Sequence, residues 1–170
     1  MIKRIVPLLL AAGFPCAFWM AVGMFGETEP PVNPLLFIGL FWMLGLAGAV
    51  VVFWQAAQGK WEGRRLAMAN MIVKLLHIGH YVTMFLFAAS GALILFLFPM
   101  LVAIALAADV MTIALSGIVG LAGVVRCRAE GRLTTGAAVI NGILQFVFCV
   151  DVFSAVWVFY KSGKREESLS

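Results

Sequence analysis

The stretch that decides the fold is PLLFIGLFWMLGLAGAVVVFWQAA, residues 34–57, which holds 24 residues without one charged side chain. A transmembrane α-helix needs about 20 consecutive apolar residues. Pro34 suits the first turn of a helix, where its missing N–H leaves no hydrogen bond unmade. The stretch therefore predicts a transmembrane helix over residues 34–57.

The composition of the whole chain agrees with this prediction. The 170 residues are 64% hydrophobic and 12% charged, whereas soluble domains are about 45–50% apolar and about 25% charged. A soluble domain of this length cannot bury so much apolar surface, but a bilayer solvates it. We expect a single transmembrane domain over residues 1–170.

Four further apolar runs complete the predicted architecture, which is an all-α, polytopic bundle of five transmembrane helices. The additional helices are predicted over residues 5–25, 66–98, 100–125 and 134–160, before a polar tail over 161–170. Pro99 predicts a tight turn, and Thr134 or Thr135 can cap the fifth helix. The run 5–25 follows Lys3 and Arg4, as in a signal peptide. Because the run is long enough to span and lacks a small-residue cleavage site, a retained helix is favoured over cleavage.

The basic residues lie in short clusters between the apolar runs, although the formal net charge is only +4. Such clusters indicate membrane orientation and contacts to anionic headgroups rather than nucleic-acid binding. The residues predicted to contact lipid headgroups are Lys60, Arg64, Arg65, Arg126, Arg128 and Arg132.

This charge pattern predicts a multi-pass protein of the cell membrane with a cytoplasmic N-terminus and cytoplasmic basic loops. Five helices then place the C-terminus outside, in conflict with the basic residues Lys161, Lys164 and Arg165 in the tail. Cys127 in the second basic loop would report this orientation to an impermeant thiol reagent. The three cysteines have no CxxC spacing, which disfavours thiol–disulfide exchange and a cysteine zinc site.

A polar arc marks the third predicted helix. At about 100° per residue, Asn70, Lys74, His77 and Tyr81 form one stripe, and His80 lies about 60° to its side. Ionisable side chains inside a membrane are expensive, so the arc should face the bundle interior or a water-filled vestibule. Lys74 could alternatively extend to the headgroups.

The other polar residues within the runs suggest two layers. Asn141 and Gln145 match the depth of the two histidines, and hydrogen bonds between these groups are expected. Asp109 and Asp151 lie roughly 10 Å further out at 1.5 Å per residue, which disfavours a four-ligand metal centre with the histidines.

Asp109 and Asp151 are predicted to face each other and to form a proton or cation site. Shared burial would disfavour the ionisation of both carboxylates at once. The alternative is that each binds separately to a hydroxyl or an indole. In the fourth helix, Ser116, Gly120 and Gly123 form a small-residue face that predicts close helix contact.

Three segments resemble a known family: KLLHIGHYV at 74–82, ADVMTIALSGIVGLAGVVR at 108–126 and NGILQFVFCVDVFSAVWVFY at 141–160. They are similar to a family of small multispan membrane proteins of Gram-positive bacteria whose members are uncharacterised. The resemblance covers a little over half of the chain and implies no activity. In that pattern His77, Asp109 and Asp151 have counterparts and His80 is less expected, which disfavours an HxxH metal motif.

The favoured function is transport of an ion or small solute by a carrier, a channel or a transporter subunit. The residues predicted to form the site are Lys74, His77, His80, Asp109, Asn141, Gln145 and Asp151. Five helices form a narrow bundle, so we expect a homo-oligomer or a larger membrane complex within the lipid bilayer. The alternatives are an accessory protein that binds a membrane partner and an enzyme acting on lipid or quinone. The sequence names no cofactor.

Overall fold

The computed structural model describes residues 2–90 and 97–167. Within these ranges the chain forms seven α-helices and no strand, in agreement with the predicted all-α class. The helices are α1 Ile2–Ala12, α2 Phe14–Met24, α3 Pro34–Ala57, α4 Gly63–Ser90, α5 Phe98–Ala129, α6 Thr135–Leu144 and α7 Val150–Glu167.

Helix α3 has the predicted bounds. Asn33 caps it, since its side-chain oxygen accepts hydrogen bonds from the backbone N–H of Leu35 at 3.0 Å and of Leu36 at 3.3 Å. Pro34 occupies the first turn. The local sequence thus fixes both the start and the register of this helix.

The first apolar run is bent rather than straight. Helices α1 and α2 meet at Gly13 with an angle of 47° between them. Pro15 lies in the first turn of α2. In a continuous helix it could not donate a hydrogen bond to the carbonyl of Ala11, and its ring would crowd that carbonyl. The predicted helix over 5–25 is therefore two helices.

The third and fourth predicted helices have different bounds in the structure. Helix α4 begins earlier than predicted, at Gly63, and residues 91–96 of the predicted run lie outside the described residues. Pro99 is not a turn residue, because it lies in the first turn of α5, where proline is tolerated. Helix α5 continues to Ala129, so much of the predicted loop 126–132 is helical.

The fifth predicted helix, 134–160, is interrupted. Its chain forms α6, a turn over residues 145–149 and then α7. Cys149 in this turn has a φ of 62°, a left-handed conformation that non-glycine residues rarely adopt. Such a conformation persists only where surrounding contacts hold it.

Helices α6 and α7 form a hairpin. The Ser154 hydroxyl donates to the side-chain oxygen of Asn141 over 2.9 Å, although the two residues are 13 positions apart. In a continuous helix they would be separated by about 20 Å at 1.5 Å per residue. The chain therefore reverses direction in the turn 145–149, and α7 runs back beside α6.

The two ends of this hairpin lie at the same end of the bundle. Where α6 begins, Arg128 donates to the hydroxyl of Thr135 over 3.1 Å. Near the end of α7, the carbonyl of Ser162 accepts a hydrogen bond from Arg132 over 2.9 Å, and Gly163 lies against the guanidinium of Arg64. We call this end of the bundle, formed by residues 58–65 and 126–134, the basic end.

Small residues allow α5 to approach its neighbours closely, as its sequence predicts. Gly120 lies against the side chain of Gln145, so closely that a Cβ atom there would collide with it. Gly123 lies against Ala67 of α4. Ser116 accepts a hydrogen bond from α4. Helix α5 thus packs against both α4 and the hairpin turn.

The outer surface of the bundle is strongly apolar. Leu36 of α3, Leu76 of α4 and Phe153 of α7 are 70%, 73% and 75% exposed. Among the described residues, α3, α4 and α5 are each long and apolar enough to cross a membrane, and the bent pair α1–α2 makes a fourth span if it counts as one. These features are compatible with an integral membrane protein. Among the described residues, no helix of the fifth predicted run, 134–160, is long and apolar enough to count as a span.

Candidate functional site

The polar arc of α4 is buried within the bundle, as its spacing predicts. Its five side chains belong to residues that are at most 7% exposed: Asn70, Lys74, His77, His80 and Tyr81. Lys74 is completely buried and does not extend to the surface. The arc therefore faces protein along most of its length.

The ammonium group of Lys74 uses all three of its N–H donors. It donates to the Ser116 hydroxyl over 2.9 Å, to the backbone carbonyl of Gln145 over 3.2 Å and to the Asp151 carboxylate over 2.5 Å. An ammonium group has three donors and no acceptor. These three bonds join α4, α5 and the hairpin turn at one point.

The Lys74–Asp151 ion pair is fully enclosed, because neither side chain is exposed. The second carboxylate oxygen of Asp151 accepts the backbone N–H of Val152 over 2.9 Å, in the first turn of α7, where a negative charge is favoured by the helix dipole. Removing one partner of such a pair costs about 3–5 kcal/mol, because the other charge is left buried and unpaired.

A chain of amides and hydroxyls extends from this ion pair. Asn70 donates to the side-chain oxygen of Gln145 over 3.2 Å, and the Gln145 amide donates to Ser154 over 3.1 Å. Ser154 donates to Asn141, whose amide bonds the carbonyl of Ala137 over 2.9 Å. We call this set the Lys74 network: Asn70, Lys74, Ser116, Asn141, Gln145, Asp151 and Ser154.

The Lys74 network replaces the two separate layers expected from the sequence. A straight fifth helix would hold Asp151 about 9 Å further along the bundle than Gln145 at 1.5 Å per residue. The turn at 145–149 instead brings both residues to Lys74. Sequence reasoning missed this pairing, although a lone lysine and a lone aspartate in separate apolar runs were its signal.

A second group, which we call the His80 cluster, consists of His80, Asp109 and Thr112. The Thr112 hydroxyl donates to the carbonyl of Ala108 over 2.9 Å and lies 3.3 Å from the Nε2 atom of His80, within hydrogen-bonding distance. The same nitrogen lies 3.7 Å from the carboxylate of Asp109. The Nδ1 atom of His80 and one Asp109 oxygen are buried without a hydrogen-bond partner among the described residues.

His77 has a different partner from the one expected. Its Nε2 atom bonds the carbonyl of Ala12 over 3.1 Å, at the end of α1, and its Nδ1 atom has no hydrogen-bond partner among the described residues. The hydrogen bonds predicted between the histidines and Asn141 or Gln145 are not formed. Both amides are occupied within the Lys74 network.

Asp109 and Asp151 have different partners. Asp151 is neutralised by Lys74, whereas Asp109 lies beside His80 and borders a cavity between α5 and the hairpin turn. The prediction of a shared site rests on each aspartate being a lone carboxylate that needs a partner in an apolar span. That reason is lost once one of them forms an ion pair with a lysine.

The described parts of the chain bring no three His, Cys, Asp or Glu side chains together in a way that could hold a metal ion. The two histidines of the HxxH pattern instead bond the backbone of α1 and the Thr112 hydroxyl. These two hydrogen bonds account for the positions of the histidine rings without a metal ion.

The basic residues expected to contact lipid differ in their surroundings. The side chains of Arg126 and Arg132 bond Glu130 at 3.0 and 2.8 Å and are only 24% and 15% exposed. Lys60, Arg65 and Arg128 are exposed at the basic end, and Arg64 is partly buried. Cys127 is completely buried, so it cannot serve as the accessible thiol expected from the sequence.

Comparison with protein families identifies the group to which the chain belongs. Residues 66–164 match the model of a family of unknown function, DUF6652. The chain belongs to this family. The matched region contains both the Lys74 network and the His80 cluster. No curated protein and no solved structure matches the chain.

Proposed function

We propose that this DUF6652 protein crosses the membrane four times and that its α6–α7 hairpin enters and leaves the bilayer by the same face. The spans are the bent α1–α2 pair, α3, α4 and α5. Backbone that is not helical is tolerated at membrane depth only where protein or water surrounds it. Gln145, at the start of the turn, meets this requirement through its contacts with Lys74 and α5. Residues 146–149 are exposed, and the backbone N–H groups of Phe146 and Val147 donate to carbonyls of α6.

The distribution of charge supports an orientation with both termini in the cytoplasm. The basic loops and the end of α7 all lie at the basic end of the bundle. Lysine and arginine are enriched on the cytoplasmic side of membrane proteins. The basic tail, which conflicts with this rule in a five-span arrangement, obeys it when α6 and α7 form a re-entrant hairpin.

Reporter fusions test this topology. Green fluorescent protein fused to the C-terminus should fluoresce, and alkaline phosphatase fused there should be inactive, because this end remains in the cytoplasm. A phosphatase inserted after Glu29, in the loop at the opposite end, should be active. An active phosphatase at the C-terminus would instead support a fifth span.

We further propose that the protein is transport-type and carries a proton or small cation past the His80 cluster. The observation that carries this proposal is the interruption of a helix next to a buried ion pair and unsatisfied polar atoms. Interrupted helices form the substrate and ion sites of many transporters. Intramembrane ionisable groups are by default functional candidates.

The two polar groups have different roles in this proposal. The Lys74 network holds the hairpin turn in place, because every donor of the ammonium group is already bonded. The His80 cluster carries the cation, because Asp109 borders a cavity and keeps one oxygen without a hydrogen bond. A carrier group must be able to exchange its partner, and a saturated lysine cannot do so.

Reconstitution into liposomes tests transport directly. An imposed membrane potential should drive proton or monovalent-cation flux through the wild-type protein, measured with trapped fluorescent indicators. Asp109→Asn should reduce this flux at least tenfold, whereas the matched control Glu27→Gln, which removes an exposed carboxylate, should not. Flux no greater than that of protein-free liposomes would refute the transport proposal.

A further inference from the structure

A cavity opens between α5 and the hairpin turn, away from the Lys74 network. Its volume is about 410 Å³, within the range of about 300–1,000 Å³ that small-molecule sites occupy. Aliphatic side chains of α5 form one wall, and the rings of Phe146 and Phe148 form the other. Leu106 and Val110 at its rim are 62% and 56% exposed on the outer surface of the bundle. The cavity can therefore be entered from the lipid.

Among the described residues, Asp109 is the one charged side chain that lines this cavity. Its side chain is 13% exposed, and its nearest basic group, His80 Nε2, lies at 3.7 Å, beyond hydrogen-bonding distance. The same nitrogen lies 3.3 Å from the Thr112 hydroxyl, a shorter contact than the one to Asp109. The Oδ1 atom of Asp109, which is the oxygen nearest His80, is buried and has no hydrogen-bond donor among the described residues.

An incompletely paired carboxylate inside an apolar cavity favours a positively charged occupant. A buried charge without a partner is unfavourable, and a cation restores the pairing. Aromatic rings also attract cations through the negative face of their π-systems. Phe146 and Phe148 supply such rings, while the aliphatic wall suits a hydrocarbon substituent.

We propose that this cavity binds hydrophobic organic cations, molecules with one positive charge carried on alkyl or aryl groups. The charge lies at Asp109 and the hydrocarbon part lies between α5 and the two phenylalanine rings. This inference rests on the Asp109 site of the transport proposal and adds a second class of solute to the proton or small cation named there. Binding itself does not require that transport occur.

Tetraphenylphosphonium is a suitable probe, because it combines a single charge with four aryl groups. Radiolabelled probe should bind saturably to the full chain in phosphatidylcholine nanodiscs. The uncharged analogue triphenylphosphine oxide should not displace it. Asp109→Asn should weaken binding at least tenfold, and Glu27→Gln should leave it unchanged.

A second variant fills the cavity and keeps the carboxylate. Ala114 lines the cavity wall, so Ala114→Phe should abolish binding even though Asp109 is intact. Loss of a monodisperse peak in gel filtration would show that Asp109→Asn fails to fold. In that case Ala114→Phe still tests whether the cavity binds the probe. Binding that survives Ala114→Phe, or the absence of saturable binding to the wild-type protein, would overturn the proposal.

The outcomes separate this inference from the transport proposal. Binding that depends on Asp109, without cation flux in liposomes, would support the site and refute transport. Proton flux without binding of the phosphonium probe would support transport and refute this solute class.

Discussion

At the scale of single residues, Lys74 is held by three hydrogen bonds in a fully buried position. Its charge is buried, and it can be tolerated there only because one carboxylate and two neutral oxygens surround it. The same three bonds attach the hairpin turn to α4 and α5. We therefore expect Lys74 to act on stability through Asp151 and not as an independent group.

Lys74→Met should lower the free energy of unfolding by about 3–5 kcal/mol, because the Asp151 carboxylate is left buried without its counter-charge. The double variant Lys74→Met/Asp151→Leu should be less destabilised than Lys74→Met alone, since it leaves no unpaired charge. Thermal unfolding of the purified protein in detergent measures both.

Lys60→Met is the matched control for this pair of variants. Lys60 is exposed at the basic end, so its replacement should change stability by no more than about 0.5 kcal/mol. Equal destabilisation by the single and the double variant would show that the Lys74–Asp151 ion pair is not coupled in the folded protein.

At the scale of secondary-structure elements, the α6–α7 hairpin is the feature that organises the site. Neither glycine nor proline occurs in its turn, QFVFC at 145–149. The turn is held from outside, by Lys74 and Asn70 of α4 and by the close approach of Gly120 in α5. Its left-handed Cys149 is consistent with a conformation imposed by tertiary contacts.

The reversal of the chain can be tested by cross-linking. Asn141→Cys/Ser154→Cys should form a disulfide under mild oxidation, because these side chains touch across the hairpin. The variant is made in a Cys149→Ser background. Maleimide mass-tagging then counts the free thiols, and formation of the disulfide removes two of them.

The pair Leu101→Cys/Ala114→Cys provides the comparison, since it has the same sequence separation within the continuous helix α5. It should not cross-link, because an α-helix holds such residues about 20 Å apart. Failure of the Asn141/Ser154 pair to react, in a variant that remains folded, would contradict the hairpin.

At the scale of the whole molecule, the bundle carries a polar interior and an apolar exterior. The interior holds the Lys74 network and the His80 cluster, while large apolar side chains are exposed over the outer surfaces of the helices. This arrangement suits a protein whose solvent is lipid, where apolar side chains face outward without penalty and polar groups must be satisfied internally.

Single-tryptophan variants measure how the whole bundle sits in a membrane. Trp54 is 65% exposed, whereas the indole of Trp42 packs in the core and donates to the carbonyl of Met111 over 3.4 Å. In vesicles containing brominated acyl chains, fluorescence from Trp54 should be quenched strongly and that from Trp42 weakly. Equal quenching would contradict the packing of α3 against α5.

Several features of the fold follow from local composition and spacing alone. The apolar runs predict an all-α chain, Asn33 and Pro34 fix the start of α3, and the spacing of the polar arc in α4 predicts which face is buried. These features follow from propensity, capping and periodicity, which act over a few residues. Each of these features can therefore be predicted from a single segment of the sequence.

Only the tertiary structure decided that the fifth apolar run turns back and that Lys74 pairs with Asp151 rather than leaving two aspartates to share a site. An apolar run has the same hydropathy whether it crosses the bundle or reverses inside it. The reversal is stabilised by hydrogen bonds from residues about 70 positions away in the chain, such as the one from Lys74 to the Gln145 carbonyl. Within the run, hydropathy and spacing do not reveal contacts over that separation, because the groups that provide them lie on other helices.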